Sequence, residues 1–176
     1  MEVIVSNPLK MDMSDIDASV SRVKILLLDK SNRILLCNIN GSYSFVGGHV
    51  EPSETVEACF EREMLEETGI VVSESQAELF LKRQSFEDDY FGQGIKCLSE
   101  IYYYAYQTGL DYDLNNMQLD ADEVMGGFRL EYVDLNNFEK TLLTDKSYKK
   151  KKGLYDEMIE AVRVYKQKYV PTLSLA

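Results

Sequence analysis

Residues 47–70 read GGHVEPSETVEACFEREMLEETGI, a segment in which two glycines precede a run of alternating charged and apolar residues. The pattern predicts a helix from about Glu54 to Thr68, with Ser53 capping its start and Gly69 ending it. Apolar side chains recur within this helix at the spacing of one helical face, which predicts a stripe buried against a sheet. That stripe consists of Val56, Cys59, Phe60 and Met64.

The predicted helix also concentrates negative charge. Glu63, Glu66 and Glu67 stand at i, i+3 and i+4, so they fall within an arc of about 100° on one helical face. Only Arg62 supplies a positive charge within the helix. Like charges at these spacings cost a few tenths of a kcal/mol per pair, and a hard divalent cation with oxygen ligands would offset that cost. The charge pattern alone leaves a solvated acidic face as the alternative.

The whole segment is more specific than its charges. It resembles the Nudix box at every fixed position of that motif, over residues 48–70 of a 176-residue chain. The residues that carry the resemblance are Gly48, Glu54, Arg62, Glu63, Met64, Leu65, Glu66, Glu67, Thr68, Gly69 and Ile70.

This resemblance implies a fold and an activity. The fold is an α/β/α sandwich with a mixed β-sheet, a catalytic helix after the Gly-Gly loop and a C-terminal helix. The activity is that of a pyrophosphohydrolase with Mg²⁺ or Mn²⁺ as cofactor. It would hydrolyse a phosphoanhydride bond in a nucleoside diphosphate linked to another moiety, as in a nucleotide, ADP-ribose or a nucleotide sugar. The identity of that moiety stays open, because it depends on residues outside the box.

The resemblance also implies roles for individual residues. Glu63 and Glu67 look like the main metal ligands, Glu66 like a further ligand, and the carbonyl of Gly47 like a backbone ligand. Arg62 looks like the residue that orients the carboxylates by ion pairing, for which its planar fork of donors is suited. Together with the three glutamates it forms the expected catalytic group.

Three further residues have weaker expectations. Glu54 resembles the first glutamate of the motif and is expected to support the ligands from behind, since on an ideal helix it faces away from the other three. His49 follows the two glycines and is expected to lie in the loop or to contact substrate. Glu123 is the favoured extra acidic ligand or base; the other candidates are Glu87, Asp88, Asp89, Glu100, Asp120 and Asp122.

Outside the box, apolar and β-branched runs predict a sheet with helices. We expect one domain over residues 1–176, in which residues 1–18 form an irregular or strand-like extension. The predicted strands are 22–29, 33–39, 43–46, 70–72, 79–86, 95–106 and 127–133, and the later helices are 135–142 and 154–169.

Composition excludes several function classes. The formal net charge is -11, so a DNA-binding surface is not expected. No apolar run is long enough for a membrane span, and residues 1–15 do not resemble a signal peptide. The three cysteines, Cys37, Cys59 and Cys97, lack metal-binding spacing and are expected to be reduced thiols. The cytoplasm is therefore the expected compartment, and a homodimer is compatible with the sequence.

Two alternatives use the same fold. A ligand-sensing module would bind ADP-ribose or a related compound without turnover, but such modules show decayed boxes and fused DNA-binding regions, whereas this box is intact. Isopentenyl diphosphate isomerases keep the scaffold but change the chemistry, and we see no cysteine here placed for proton transfer. A small nucleotide-type substrate for hydrolysis is the favoured prediction.

Overall fold

The computed structural model describes residues 1–170, which form a mixed sheet with helices on both faces. The strands are β1 (Glu2–Ser6), β2 (Ala18–Leu28), β3 (Arg33–Ile39), β4 (Ser42–Phe45), β5 (Glu78–Glu87), β6 (Cys97–Gln107) and β7 (Arg129–Asp134). The helices are α1 (Val56–Thr68), α2 (Ala121–Met125), α3 (Phe138–Thr144) and α4 (Lys152–Tyr169).

The strands form one sheet in the order β1-β5-β6-β2-β3-β4, and β7 pairs with β3. The β2–β6 and β1–β5 pairs are parallel, whereas the other pairs are antiparallel. The predicted mixed sheet is therefore confirmed. The strand-like part of the N-terminal extension is β1, which, among residues 1–170, lies at the edge of the sheet and pairs only with β5.

Two apolar layers enclose the sheet because its side chains alternate between its faces. In β2, Val23, Ile25 and Leu27 pack with the buried stripe of α1. Leu26 and Leu28, from the same strand, pack with α3 and α4 on the opposite face. This arrangement is the expected α/β/α sandwich, and it fixes α1 firmly against the centre of the sheet.

The predicted strand at residues 70–72 is wrong. Ile70 and Val72 are buried at 5% and 7% exposure, but the segment belongs to no strand. It follows directly after the end of α1, and its two apolar side chains join the cluster between α1 and the sheet. Burial of alternate residues gives the same sequence pattern as a strand without requiring a pairing partner.

The predicted N-cap of α1 and the predicted start of α3 are also wrong. Thr55, not Ser53, caps α1, since its Oγ1 accepts a hydrogen bond from the N–H of Ala58 at 3.2 Å. Ser53 lies in a turn with φ 71°, a conformation that an N-cap does not adopt. Helix α3 begins at Phe138 rather than at residue 135, because the Asp134 side chain holds the preceding residues in a turn.

Helix α2 was not predicted at all, while α4 agrees with the prediction to within two residues at its start. None of the helices in the described residues 1–170 has the length and apolar character of a membrane span. The three cysteines are buried free thiols.

Candidate active site

The Gly-Gly loop is positioned by its hydrogen bonds to β2. Three backbone bonds of 2.9 Å each continue the sheet past the end of β4. They join Ile25 to Val46, Val23 to Gly48 and Val50 to Ser21. The loop is thereby held as an extension of the sheet beside α1, and its backbone carbonyls have fixed directions.

The two glycines keep the loop close to its neighbours, and at Gly47 the backbone of β2 leaves no space for a side chain. Gly47 adopts φ 118°, and a Cβ there would collide with the carbonyl oxygen of Val23. A Cβ on Gly48 would lie 2.9 Å from the carboxyl carbon of Glu63. The absence of side chains thus lets the loop approach the carboxylates of α1 closely.

Arg62 connects the acidic residues around this loop. Its Nε donates to Glu54 at 2.8 Å, and its Nη1 donates to both Glu63 and Glu66 at 2.8 Å. Its Nη2 donates to the backbone carbonyl of His49 at 3.0 Å. These bonds raise the pKa of Arg62, and the bond from Arg62 is the largest cause of a lowered pKa at Glu54.

The geometry places Glu54 differently from the sequence argument. Because α1 begins at Val56, Glu54 lies in the preceding turn, where its carboxylate also accepts from the N–H of Glu51 at 2.9 Å. It therefore does not face away from the other glutamates but shares Arg62 with Glu63 and Glu66. The argument from an ideal helix is wrong, although a supporting position behind the glutamates agrees with these contacts.

Glu67 is the most deeply buried carboxylate of the group, with 5% exposure. Its Oε2 accepts a hydrogen bond from the N–H of Gly47 at 2.6 Å. Burial raises the pKa of Glu67 to about 8, because nearby positive charge and this hydrogen bond offset the loss of water only in part. Burial also raises the pKa of Glu63, against the effect of Arg62.

Lys24 belongs to the site but was not predicted from the sequence. Its ammonium donates a hydrogen bond to the carbonyl oxygen of Gly47, and its charge lowers the pKa values of Glu63 and Glu67. The available signal was a lone lysine inside the apolar strand RVKILLL, residues 22–28, where a cation needs a partner.

Arg22 is a second missed residue. It donates from Nε to His49 Nε2 at 3.0 Å, from Nη1 to Ser99 at 3.1 Å and from Nη2 to Tyr90 at 2.5 Å. Burial, followed by the charges of Arg22 and Lys24, lowers the pKa of His49. His49 therefore accepts the hydrogen bond from Arg22 as a neutral ring.

The Gly-Gly loop, His49, Arg62 and glutamates of α1 line one cavity of about 350 Å³, which we name the catalytic cavity. Its lining consists of Gly47, Gly48, His49, Glu51, Arg62, Glu63, Glu66, Glu67, Gln118, Asp120 and Glu123. Glu123 reaches it from α2, where it forms a capping box with Asp120. Burial raises the pKa of Glu123, and the hydrogen bond that its carboxylate accepts from the N–H of Asp120 opposes this rise. Asp122 and the alternative acids at positions 87, 88, 89 and 100 do not line the cavity.

The donor chemistry of this cavity fits a hard divalent cation, since carboxylates and a backbone carbonyl are the oxygen ligands that Mg²⁺ accepts. The side-chain positions do not yet converge: within residues 1–170, no three acidic, histidine or cysteine side chains stand close enough to hold one ion. The reason is that Arg62 holds Glu63 and Glu66, while Gly47 holds Glu67. Cation binding therefore requires these carboxylates to turn.

Comparison with known proteins gives a consistent result. Residues 19–156 match the NUDIX domain family. A segment of the chain is similar to the NAD-capped RNA hydrolase NudC of Vibrio cholerae, at 47% identity over 53 residues, 28% of this chain. The match spans 20% of the length of that relative.

Two solved structures share the fold at 16% identity. An Ap4A hydrolase from C. elegans, solved as a binary complex, aligns with a TM-score of 0.52 over 86% of this chain and 98% of its own. The NUDIX domain of NrtR from Shewanella oneidensis, solved with ADP ribose, aligns with a TM-score of 0.50 over 73% of this chain and 80% of its own. At this identity, the likeness shows the fold alone.

Proposed function

Because the chain belongs to the Nudix hydrolase family, we propose that it hydrolyses a phosphoanhydride bond in a nucleoside diphosphate linked to another moiety. The observation that carries this proposal is the catalytic cavity itself. One cavity brings together Glu63, Glu66 and Glu67 of α1, the Gly47 backbone and Glu123 of α2. A solvated acidic face would not bury Glu67 at 5% exposure, since an unpaired buried carboxylate is costly.

In this proposal, Glu63, Glu66, Glu67 and the carbonyl of Gly47 hold Mg²⁺ or Mn²⁺. The bound cations supply charge neutralisation at the diphosphate and a water of lowered pKa. Arg62 keeps Glu63 and Glu66 on the cavity side of α1 through its hydrogen bonds, and Glu54 fixes the guanidinium from the other side. No covalent nucleophile is needed, because positioning and electrostatic stabilisation suffice for phosphoryl chemistry.

Glu123 is the residue that we assign as an extra ligand or as the base that takes the proton of the attacking water. It lines the same cavity as Glu67, and burial raises its pKa. A carboxylate with a pKa nearer to neutrality is a better general base than a fully exposed one. Its place on α2 brings it to the cavity from outside the box.

The family and the names of its relatives support a proposal for the substrate class. The names of the similar proteins refer to NAD-capped RNA, Ap4A and ADP ribose, and each of these contains a phosphoanhydride attached to a nucleoside. We therefore propose a nucleotide-type substrate. The ADP ribose complex is also compatible with a non-catalytic sensor that binds such a ligand without turnover. The complete set of acidic residues in the cavity favours turnover.

The test is turnover of a substrate panel with a matched pair of variants. The panel comprises nucleoside triphosphates, ADP-ribose, nucleotide sugars, dinucleoside polyphosphates and capped RNA, each with Mg²⁺, with Mn²⁺ and with chelator. Glu67→Gln removes a proposed ligand, whereas Glu57→Gln changes an exposed glutamate of the same helix that does not line the cavity. Products are separated by liquid chromatography.

We expect metal-dependent cleavage of one substrate by the wild type and by Glu57→Gln, and none by Glu67→Gln. Retained turnover in Glu67→Gln would overturn the ligand assignment. If the wild type cleaves no substrate of the panel but binds ADP-ribose tightly, the protein is a sensor and the proposed hydrolase activity is wrong. Millimolar Mg²⁺ should also raise the melting temperature of the wild type, because a ligand of the folded state stabilises it.

A further inference from the structure

A second cavity lies beside the catalytic cavity and takes no part in the proposed cleavage. Its volume is about 400 Å³. We name it the Phe128 cleft. Its apolar lining consists of Leu114, Met117, Leu119, Val124, Phe128 and Leu130, and its polar lining consists of Gln118 and Arg129.

The two cavities share structural elements. Gln118 lines both of them, and its backbone N–H donates to the carbonyl of Glu66 at 2.9 Å. Helix α2 also serves both, because Glu123 lines the catalytic cavity and the next residue, Val124, lines the cleft. A ligand with its charged part among the carboxylates of α1 therefore has the Phe128 cleft directly beside it.

The segment that carries Leu114 is anchored to the end of α1. The N–H of Asp113 donates to the carbonyl of Thr68 at 2.8 Å. The side-chain amide of Asn116 donates to the carbonyl of Gly69 at 2.7 Å. These bonds tie the segment to α1 on both sides of Leu114. A cleft that is already ordered loses little conformational entropy when a ligand binds.

The lining of the Phe128 cleft is mainly apolar, whereas that of the catalytic cavity is mainly acidic. In a chain of net charge -11, its lining contains no acidic residue and one cation, Arg129. Leu114 and Val124 are 68% and 62% exposed. Large apolar side chains exposed within a concave site are characteristic of ligand sites, where a bound apolar surface removes them from water.

We propose that the Phe128 cleft binds the nucleobase of the substrate whose diphosphate lies in the catalytic cavity. This inference rests on the proposed function and assigns one part of its substrate. A base is flat and aromatic, so it packs on the Phe128 ring and the surrounding aliphatic side chains, while Gln118 offers hydrogen-bonding groups to its polar edge. A sugar would need many hydrogen-bonding partners, which this lining does not provide.

The test compares two neighbouring substitutions on α2. Val124→Glu places a carboxylate in the cleft, whereas Met125→Glu places one outside it, at a residue that is 77% exposed and does not line the cleft. Both sites are exposed, so neither variant loses core packing. Binding of AMP and of ribose 5-phosphate, which lacks the base, is measured by calorimetry in Mg²⁺, and the Met117 methyl group is followed by NMR.

We expect AMP to bind the wild type roughly 10-fold more tightly than ribose 5-phosphate, as stacking of one base provides. Val124→Glu should remove this advantage, and Met125→Glu should keep it. AMP, but not ribose 5-phosphate, should shift the Met117 methyl resonance. Equal AMP affinity in the two variants, or an unshifted Met117 resonance, would overturn the proposal.

The outcomes also separate this inference from the proposed function. If metal-dependent hydrolysis proceeds but Val124→Glu and Met125→Glu have the same KM, the proposed hydrolase activity is supported and the base subsite is wrong. If no substrate is cleaved but AMP shifts Met117, the base subsite stands without the hydrolase. If Val124→Glu instead changes the molecular mass in solution and leaves AMP affinity unchanged, the cleft is an interface between copies of the chain and the proposal is wrong.

Discussion

The ammonium of Lys24 donates its hydrogen bond to the carbonyl oxygen of Gly47, the oxygen that we propose as a backbone ligand of the cation. A lysine and a divalent cation therefore compete for the same atom and for the same carboxylates. Lys24 supplies positive charge to Glu63 and Glu67 when no cation is bound. It acts as an internal counterion of the acidic cavity.

Replacing this counterion should strengthen cation binding. In Lys24→Met, a bound Mn²⁺ no longer meets a like charge close by, and such repulsion is worth on the order of 1 kcal/mol in aqueous surroundings, about fivefold in affinity. Titration of Mn²⁺ followed by EPR measures the change. Lys30→Met, at an exposed lysine outside the catalytic cavity, is the control and should match the wild type. Weaker Mn²⁺ binding in Lys24→Met would contradict the competition.

Glu67 should make stability depend on pH in the absence of divalent cations. Its pKa rises from 4.5 to about 8 on folding, so the unfolded chain loses this proton first as pH increases. Stability therefore falls between these two values and the loss is complete above pH 8. Glu67→Gln removes the loss and keeps a carbonyl that can accept from Gly47. We expect this variant to be more stable than the wild type at pH 9 by on the order of 1 kcal/mol, and inactive.

Urea denaturation in chelator at pH 5 and pH 9 measures this effect. The stability difference between Glu67→Gln and the wild type should grow with pH, whereas Glu57→Gln, on the exposed side of α1, should follow the wild type. A constant difference across this range would show that Glu67 does not carry an uncompensated charge. Such a result would also weaken the case for a cation at this position.

The sequence was sufficient for the parts of the site that lie on one helix. Helical spacing alone puts Glu63, Glu66 and Glu67 on the side of α1 that faces the cavity. Gly69 ends the helix in the left-handed conformation, with φ 71°. The buried stripe of Cys59, Phe60 and Met64 also follows from spacing. These relations are local, so a periodic pattern in the sequence contains them.

Contacts between distant segments could not be predicted in the same way. Lys24 and Arg22 reach the Gly-Gly loop because β2 and the segment after β4 are hydrogen-bonded neighbours, a pairing that no local pattern specifies. Glu123 was favoured only through the resemblance, and its helix α2 has five residues, too few for a periodic signal. The strand predicted at residues 70–72 was wrong for a related reason. Burial of a side chain does not reveal whether the backbone pairs with another strand.

Arg62 should be irreplaceable by lysine. Arg62→Lys keeps the charge but loses the planar fork that contacts Glu54, Glu63 and Glu66 together. We expect a loss of stability of about 1–3 kcal/mol and at least a 10-fold lower kcat, since partners left without a hydrogen bond are costly. Arg163→Lys, whose ion pair with Glu139 is exposed, should leave the stability close to that of the wild type. Equal losses in both variants would show that Arg62 acts only as a charge.

His49 should titrate below the ordinary histidine pKa of 6.5, because burial and the charges of Arg22 and Lys24 disfavour its protonated form. It is the only histidine of the chain, so one ring resonance in the proton NMR spectrum reports its pKa without ambiguity. Arg22→Gln should raise this pKa, while Arg33→Gln, at an arginine paired with Asp29, should leave it unchanged.

The direction of the linked stability change follows from the same shift. As pH falls below 6.5, the unfolded chain takes up this proton before the folded chain does, so folding stability declines until the lower folded pKa is passed. The decline should be smaller in Arg22→Gln than in the wild type, because the repulsion that lowers the pKa is reduced. A wild-type pKa at or above 6.5, or one that ignores Arg22→Gln, would show that the Arg22–His49 contact is absent in solution.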